Sequence, residues 1–443
     1  MRIHPHVLIS NDGRTRVPCE AGWFPVPENR HVAGSRTIEL AFARIRSTSP
    51  NPGPPLVYLE GGPGGSGLST WASQPDRYLC FLEFGDVIAL DQRGVGLSRP
   101  NLTGPFRLDL PLDRLVTREE YLAEHLAKAA ETAAFWRERG TDLDGYTTEE
   151  NADDVAELME ALGYDTFRTS GGSYGSHLSL SVIRRHGERV DRSLVYGVEG
   201  PDDTYKLPSA TDRHLGRLAE LAAAAPELDG RVPDLLGLMS RVFERLSKEP
   251  AVVDGLVIGE FDVKALTATG MGFHPFLKML PKLFLAMDSG DFAWWAGHVR
   301  KMRTAPVDNL MALVMDCASG ATAERLRRIE RETSLLDDLM NFPFPHIGQA
   351  IGGPDLGDAF RAPVSSAVPA LFMNGTLDGR TPETNALAVM KGFSDSHLIL
   401  AENAAHQTVH NMPEVFDAIR DFMHGRPVTL TDVRLDFTFD PAP

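Results

Sequence analysis

The stretch Gly171-Gly172-Ser173-Tyr174-Gly175 places a serine in a G-x-S-x-G pattern, between a strand-like run (DTFRTSGG) and a helix-like one (SHLSLSVIRRHG). A serine on such a sharp strand-to-helix turn can act as a nucleophile, because small neighbours admit the strained backbone and leave the hydroxyl exposed. It needs a base, and the base needs an orienting acid. The segment ALFMNGTLDGRTP offers Asp378 after a strand-like run, and LILAENAAHQTVH offers His406 after another. Singly, Asp378 reads as a turn aspartate beside Gly379 and His406 as a loop residue. Jointly they follow the serine in the order Ser, Asp, His, each at the end of an expected strand. The chemistry expected is acyl transfer through Ser173, His406 and Asp378.

Acyl transfer also requires two backbone N–H groups aimed at the developing oxyanion. One belongs to the residue after the nucleophile, Tyr174; the other is expected from the glycine-rich stretch EGGPGGSG that follows the strand-like LVYL. Read literally, Gly62 to Gly67 also fits the G-x-G-x-x-G dinucleotide fingerprint, with Asp91 after a second strand as a ribose ligand. Pro63 weighs against that use, since it contributes no N–H to a phosphate cradle. The pair His406 and His410 has metal-ligand spacing, but Gln407 stands where a zinc-peptidase helix carries its glutamate base. No metal and no nucleotide cofactor is expected.

These residues need a scaffold to position them. TIELAFARIR, PLVYLE, DVIAL and RSLVYGV read as strands. TTEENADDVAELMEALG reads as a helix with a Thr147/Glu150 capping box and a stop at Gly163. Alternation of this kind predicts an α/β fold with a mostly parallel central sheet flanked by helices. From Pro201 to Ile351 the rhythm turns helical, and strand-like runs resume at VPALFMNG. The expected organisation is a core over residues 1–200, a helical cap inserted over 201–351, and the rest of the core over 352–443.

The chain has 443 residues and a formal charge of −17. That charge argues against nucleic acid or an anionic membrane as partner and fits a small-molecule or short-peptide substrate. No run has the length and apolarity of a membrane span, and the N-terminus lacks the apolar core of a signal peptide. Three scattered cysteines, Cys19, Cys80 and Cys317, suggest neither a disulfide framework nor a zinc site, so a reduced, cytoplasmic protein is expected.

The segments EGGPGGSG, DVIALDQRGVGLSRP and YTTEENADDVAELMEALGYDTFRTSGGSYGSHLSL together resemble the proline iminopeptidase and tripeptidyl aminopeptidase branch of the α/β-hydrolases. The resemblance covers residues 15 to 200 and 365 to 425. It implies Gly62 and Tyr174 as the oxyanion donors, Ser173, Asp378 and His406 as the triad, and bracing roles for Asp91 and Arg93. Glu60 departs from the histidine of many members and Ala405 from a glycine, while VMDCASG around Cys317 resembles a cap helix of the branch. The resemblance implies removal of N-terminal residues from peptides, with an acid holding the free α-amino group: Glu199, or Asp202 and Asp203 close behind it. Trp294, Trp295 and MGFHPFLKMLPKLFLAM could line an apolar pocket, although much of that surface reads as cap core. A carboxylesterase or lactonase of the same fold is the alternative, since a triad does not distinguish amide from ester.

Overall fold

A computed structural model describes residues 1–406 and 408–442. Ten strands form one sheet. They are β1 (Arg2–Ile9), β2 (Arg16–Pro27), β3 (Thr37–Ile45), β4 (Leu56–Leu59), β5 (Val87–Leu90), β6 (Phe167–Ser173), β7 (Val190–Val198) and, after the cap, three more. Within the cap, β8 (Ala251–Val253) and β9 (Leu256–Ile258) make a separate antiparallel hairpin that the helical reading missed. The sheet resumes with β10 (Ala370–Leu377), β11 (Ser396–Ala405) and β12 (Asp432–Arg434). The spatial order is β1-β2-β3-β5-β4-β6-β7-β10-β11-β12. The β1, β2, β3 and β5 neighbours pair antiparallel, and every pair from β5 to β12 is parallel. All four residues of β4 and of β5 are buried, as strands covered on both faces require.

Two apolar layers sandwich the sheet. Val57, Ile88, Leu178 and Phe372 belong to one, and Tyr58, Tyr78, Leu194 and Ile419 to the other. The helical segment between β7 and β10 packs round a third apolar cluster, in which Leu218, Met239, Phe243, Phe284 and Trp295 are buried together with Leu377 of β10 and Ala405 of β11. A salt bridge between Arg303 and Asp262, both fully buried, sits within it at 2.7 Å. The helix over Thr148–Ala161 starts as expected, with Thr147 Oγ1 accepting from the Glu150 N–H at 3.2 Å. The reciprocal half of the capping box is absent, because the Glu150 carboxylate accepts from the Arg30 backbone N–H at 2.8 Å instead. Within the stretch expected to be helical, the helix Ala323–Arg331 stops before Glu332. Beyond it Glu332 takes extended backbone and Ser334 to Met340 run as turns that bury Leu336 and Leu339 in the cap core.

Every loop that carries a candidate site residue follows the carboxyl end of a parallel strand. The glycine loop follows β4, the Asp91 turn follows β5, the elbow follows β6, Glu199 follows β7, Asp378 follows β10 and His406 follows β11. That is the edge at which an α/β sheet presents its ligands.

Candidate active site

Ser173 ends β6 and precedes the helix Tyr174–His186 with φ 56° and ψ −130°. This left-handed backbone at a non-glycine residue is costly, so its neighbours must make no further demand for space. A Cβ on Gly171 would lie 2.1 Å from the Gly175 carbonyl oxygen, and one on Gly175 would lie 2.1 Å from the Leu59 carbonyl oxygen; one on Gly172, between Gly171 and Ser173, would lie 2.1 Å from the Tyr196 ring. The G-x-S-x-G spacing is therefore a packing requirement between β6, the helix and β4. Ser176 Oγ secures the turn by donating to the Ser173 carbonyl at 2.6 Å and accepting from the Glu199 N–H at 2.9 Å.

His406 and Asp378 meet: the imidazole Nδ1 stands 2.8 Å from Asp378 Oδ2. That same oxygen accepts from Thr381 Oγ1 at 2.8 Å, while Oδ1 accepts the backbone N–H groups of Arg380 and Thr381 at 2.9 and 2.8 Å. Burial works to raise the Asp378 carboxyl, but His406 and these donors outweigh it and hold it below the ordinary carboxylate range. A carboxylate so fixed stays charged and orients the imidazole. Ser173 and His406 line one cavity of about 1150 Å³, together with Gly62, Pro63 and Gly64 of the glycine loop. Gln407 lies outside the described residues. His410 lies in a short turn, Val409–Asn411, with its ring 4.3 Å from that of Tyr196.

Asp91 and Gln92 brace the glycine loop, and Arg93 ties together other loops beside it. Asp91 accepts from Ser66 Oγ at 2.6 Å and from the N–H groups of Leu68 and Leu97 at 3.0 and 2.8 Å. Gln92 Nε2 donates to the Glu60 carbonyl at 3.0 Å. Arg93, wholly buried, pairs with Asp154 at 2.7 Å and also donates to the carbonyls of Glu28 and Gly145. Asp91 is thereby occupied with backbone, which leaves it no role as a ribose ligand.

The three acids chosen from sequence separate. Glu199 lines the cavity, where its carboxylate takes a 2.8 Å hydrogen bond from Lys206 Nζ. Burial opposes ionisation of Glu199, yet Lys206 leaves its carboxyl below the usual value. Asp202 faces elsewhere and caps the cap helix Ala323–Arg331, accepting from the Thr322 N–H at 2.7 Å and its hydroxyl at 2.8 Å. Asp203 pairs with Arg325 at 2.8 Å and accepts the Gly200 N–H at 3.1 Å. Neither lines the cavity, so the expectation that they bind substrate is corrected: short-range sequence proximity to Glu199 did not fix where they point. Trp294 and Trp295 are likewise not at the cavity; they pack on each other and on Phe276 and Phe284, while Phe273, His274 and Pro275 form that part of the wall.

Sequence reading missed Asp316 and Lys206. Asp316 lines the cavity from the helix Leu310–Ser319, and its side chain has no hydrogen-bond or ion-pair partner among the described residues. Burial, then the charge of Glu199, pushes its carboxyl well above the ordinary range. The signal is present in VMDCASG, where the aspartate directly precedes Cys317. That helix is seated by Met315, whose sulfur accepts the Tyr174 hydroxyl.

A family model for the alpha/beta hydrolase fold matches residues 54–234. The chain is 29% identical over 205 residues to a tripeptidyl aminopeptidase of Streptomyces lividans, covering 42% of this chain and 36% of the relative. It is 28% identical over 151 residues to a proline iminopeptidase of Neisseria meningitidis, covering 34% of each chain. The chain thus spans about a third of the length of these curated relatives. A thermophilic esterase from Thermogutta terrifontis superposes with a TM-score of 0.40 at 17% identity, covering 91% of this chain and 99% of that one. No described helix is long and apolar enough to cross a membrane. The sheet order, the elbow at the end of β6 and the family match give the chain the alpha/beta hydrolase fold.

Proposed function

We propose that the chain is a serine aminopeptidase of the proline iminopeptidase type, acting on short peptides through an acyl-enzyme. The observation that carries the serine chemistry is the 2.8 Å contact between His406 and Asp378, at the cavity that Ser173 also lines. His406 would take the Ser173 proton through Nε2 as Oγ attacks, with Asp378 holding the other ring nitrogen. The N–H groups of Gly62 and Tyr174 would meet the oxyanion. His406 then returns the proton to the leaving amine, and water hydrolyses the acyl-enzyme by the same route.

The exopeptidase reading rests on the relatives' names and on the cavity acids. Asp316 disfavours its own charge because of burial and Glu199; an ammonium group set between Glu199 and Asp316 would relieve both. A charge-assisted hydrogen bond of that kind is worth about 1.5–3 kcal/mol, or roughly tenfold to a hundredfold in specificity. The test compares aminoacyl arylamides with free and with acetylated N-termini, beside short aryl esters. We expect kcat/KM to favour the free amine by that factor. Equal rates on free and acetylated substrates, or turnover of esters alone, would replace this reading with a carboxylesterase or lactonase of the same fold.

A further inference from the structure

A second cavity, of about 690 Å³, lies on the face of the sheet covered by the last helix, Pro413–Met423, between β4, β7 and the turn joining β1 to β2. Gln74 and Arg77 line both this cavity and the catalytic one. Its inner wall includes Tyr196, whose ring packs against Gly172, the residue before Ser173.

The polar groups of that wall are poorly matched by the protein itself. Arg77 donates from Nη1 to the Tyr58 hydroxyl at 3.2 Å, and Tyr196 donates to the same hydroxyl at 3.1 Å. The Arg77 Nε is buried without a partner among the described residues, and so are both ring nitrogens of His410. Buried polar groups are otherwise paired in the great majority of cases. In a chain with 61 acids against 44 bases, Arg77 forms no ion pair with a described carboxylate. Asp12 and Asp76 line the cavity too, and Asp12 is occupied by Ser10 Oγ at 2.5 Å and the Arg14 N–H at 3.0 Å. Glu60 reaches the guanidinium by its charge but not by contact. The remaining imidazole is held neutral by burial, which pushes His410 down to about 3. The wall therefore presents one positive charge, with guanidinium donors and a neutral imidazole, beside the carboxylates of Asp12 and Asp76.

We propose that this second cavity is a monocarboxylate-binding site, in which Arg77 takes the carboxylate through its guanidinium edge and His410 donates to the same group. A guanidinium fork matches a planar carboxylate in geometry, and a single cation matches a single negative charge. A phosphate dianion would ask for more positive charge than the wall supplies. Because Gln74 and Arg77 face both cavities, the carboxylate can arrive from the catalytic side. It is either the free C-terminus of a short peptide whose other end lies at Ser173, or a separate small acid. The site itself stands without the aminopeptidase reading; its use for a peptide C-terminus rests on it.

The test measures phenylglyoxal modification of Arg77, by peptide mass spectrometry, on the Ser173→Ala chain so that nothing is turned over. Propionate at about ten times its dissociation constant should slow labelling of Arg77 about tenfold while leaving exposed arginines unaffected. Arg77→Gln should weaken propionate binding, read by calorimetry, at least about tenfold, and Arg77→Lys should restore part of it. Should Arg77→Gln not fold, the labelling experiment decides alone. Protection by tri-alanine but not by tri-alanine amide assigns the site to a peptide C-terminus; protection by propionate with no difference between the two peptides assigns it to a separate acid. No protection of Arg77 by any of the three overturns the proposal. Failure of the amine-specificity panel with Arg77 protection intact would remove the peptide reading and leave the site.

Discussion

The floor and the roof of the catalytic cavity are built by different rules. The floor is the sheet edge, where β4, β6 and the nucleophile helix approach until a single added methyl would overlap a backbone oxygen at Leu59. The roof is the cap, where helices pack through an ordinary apolar core and reach the cavity with side chains: Asp316, His274 and the aromatic turn at Phe342. The floor tolerates little change, and in the proposed reading fixes the reaction. The roof contributes charge and shape, and in the proposed reading sets what is accepted. Glu199 stands at the seam, on a core strand's loop but paired with Lys206 from the cap entrance.

Breaking the floor should have the largest effect. Ser173→Ala should lower kcat by about 10⁴-fold or more with an unchanged thermal midpoint, measured on whichever substrate of the panel is turned over. A loss within about tenfold would place the nucleophile elsewhere.

The cap should respond in stability instead. Arg303 and Asp262 are both fully buried, with Tyr121 donating to Asp262 at 2.5 Å. Arg303→Met strands the carboxylate and should cost about 3–5 kcal/mol in urea unfolding, whereas pairing it with Asp262→Leu should recover much of that. Equal losses for the single and the double variant would mean that the pair is not the cap's keystone.

Selectivity should be sharpened or dulled at the seam. Asp316→Asn should reduce kcat/KM for free-amine substrates about tenfold to a hundredfold and leave acetylated ones nearly unchanged. An equal fall on both would make Asp316 part of the floor's machinery.

A further effect is a pH dependence of stability. Burial lowers His214 to about 4 and His410 to about 3, while a histidine in the unfolded chain titrates near ~6.5. Between those values the unfolded chain binds protons that the native one refuses, so stability falls with pH by up to about 1.4 kcal/mol per unit for each histidine. Asp378 cannot account for this, because its carboxyl is lowered and its contribution is lost only below the ordinary carboxylate range. His214→Gln should make the decline from pH 6.5 to 4.5 shallower in denaturant titrations.

What could be read from sequence divides along the same line as floor and roof. Ser173, Asp378, His406 and the glycine loop were legible because each is local turn chemistry at a strand end, written within a few residues. The parallel strands were legible because β4 and β5 are continuous apolar runs. Pairings across long separations were not: Arg303 finds Asp262 and Tyr121, and Arg325 claims Asp203, through packing that no short window records. The exposed edge strand β1 and the cap hairpin β8–β9 also escaped, the first because it is solvated on both faces and the second because its strands are three residues long. Asp316 was hidden in a helix whose apolar neighbours Met315 and Val314 dominate its pattern.

The most direct measurement of the central claim is covalent capture of the nucleophile. A fluorophosphonate probe incubated with the intact chain and followed by peptide mass spectrometry should give one adduct, on Ser173. The adduct should be lost in Ser173→Ala and its formation slowed by His406→Ala, about 10³-fold or more. An adduct on another residue, or labelling that continues undiminished after Ser173→Ala, would contradict the account.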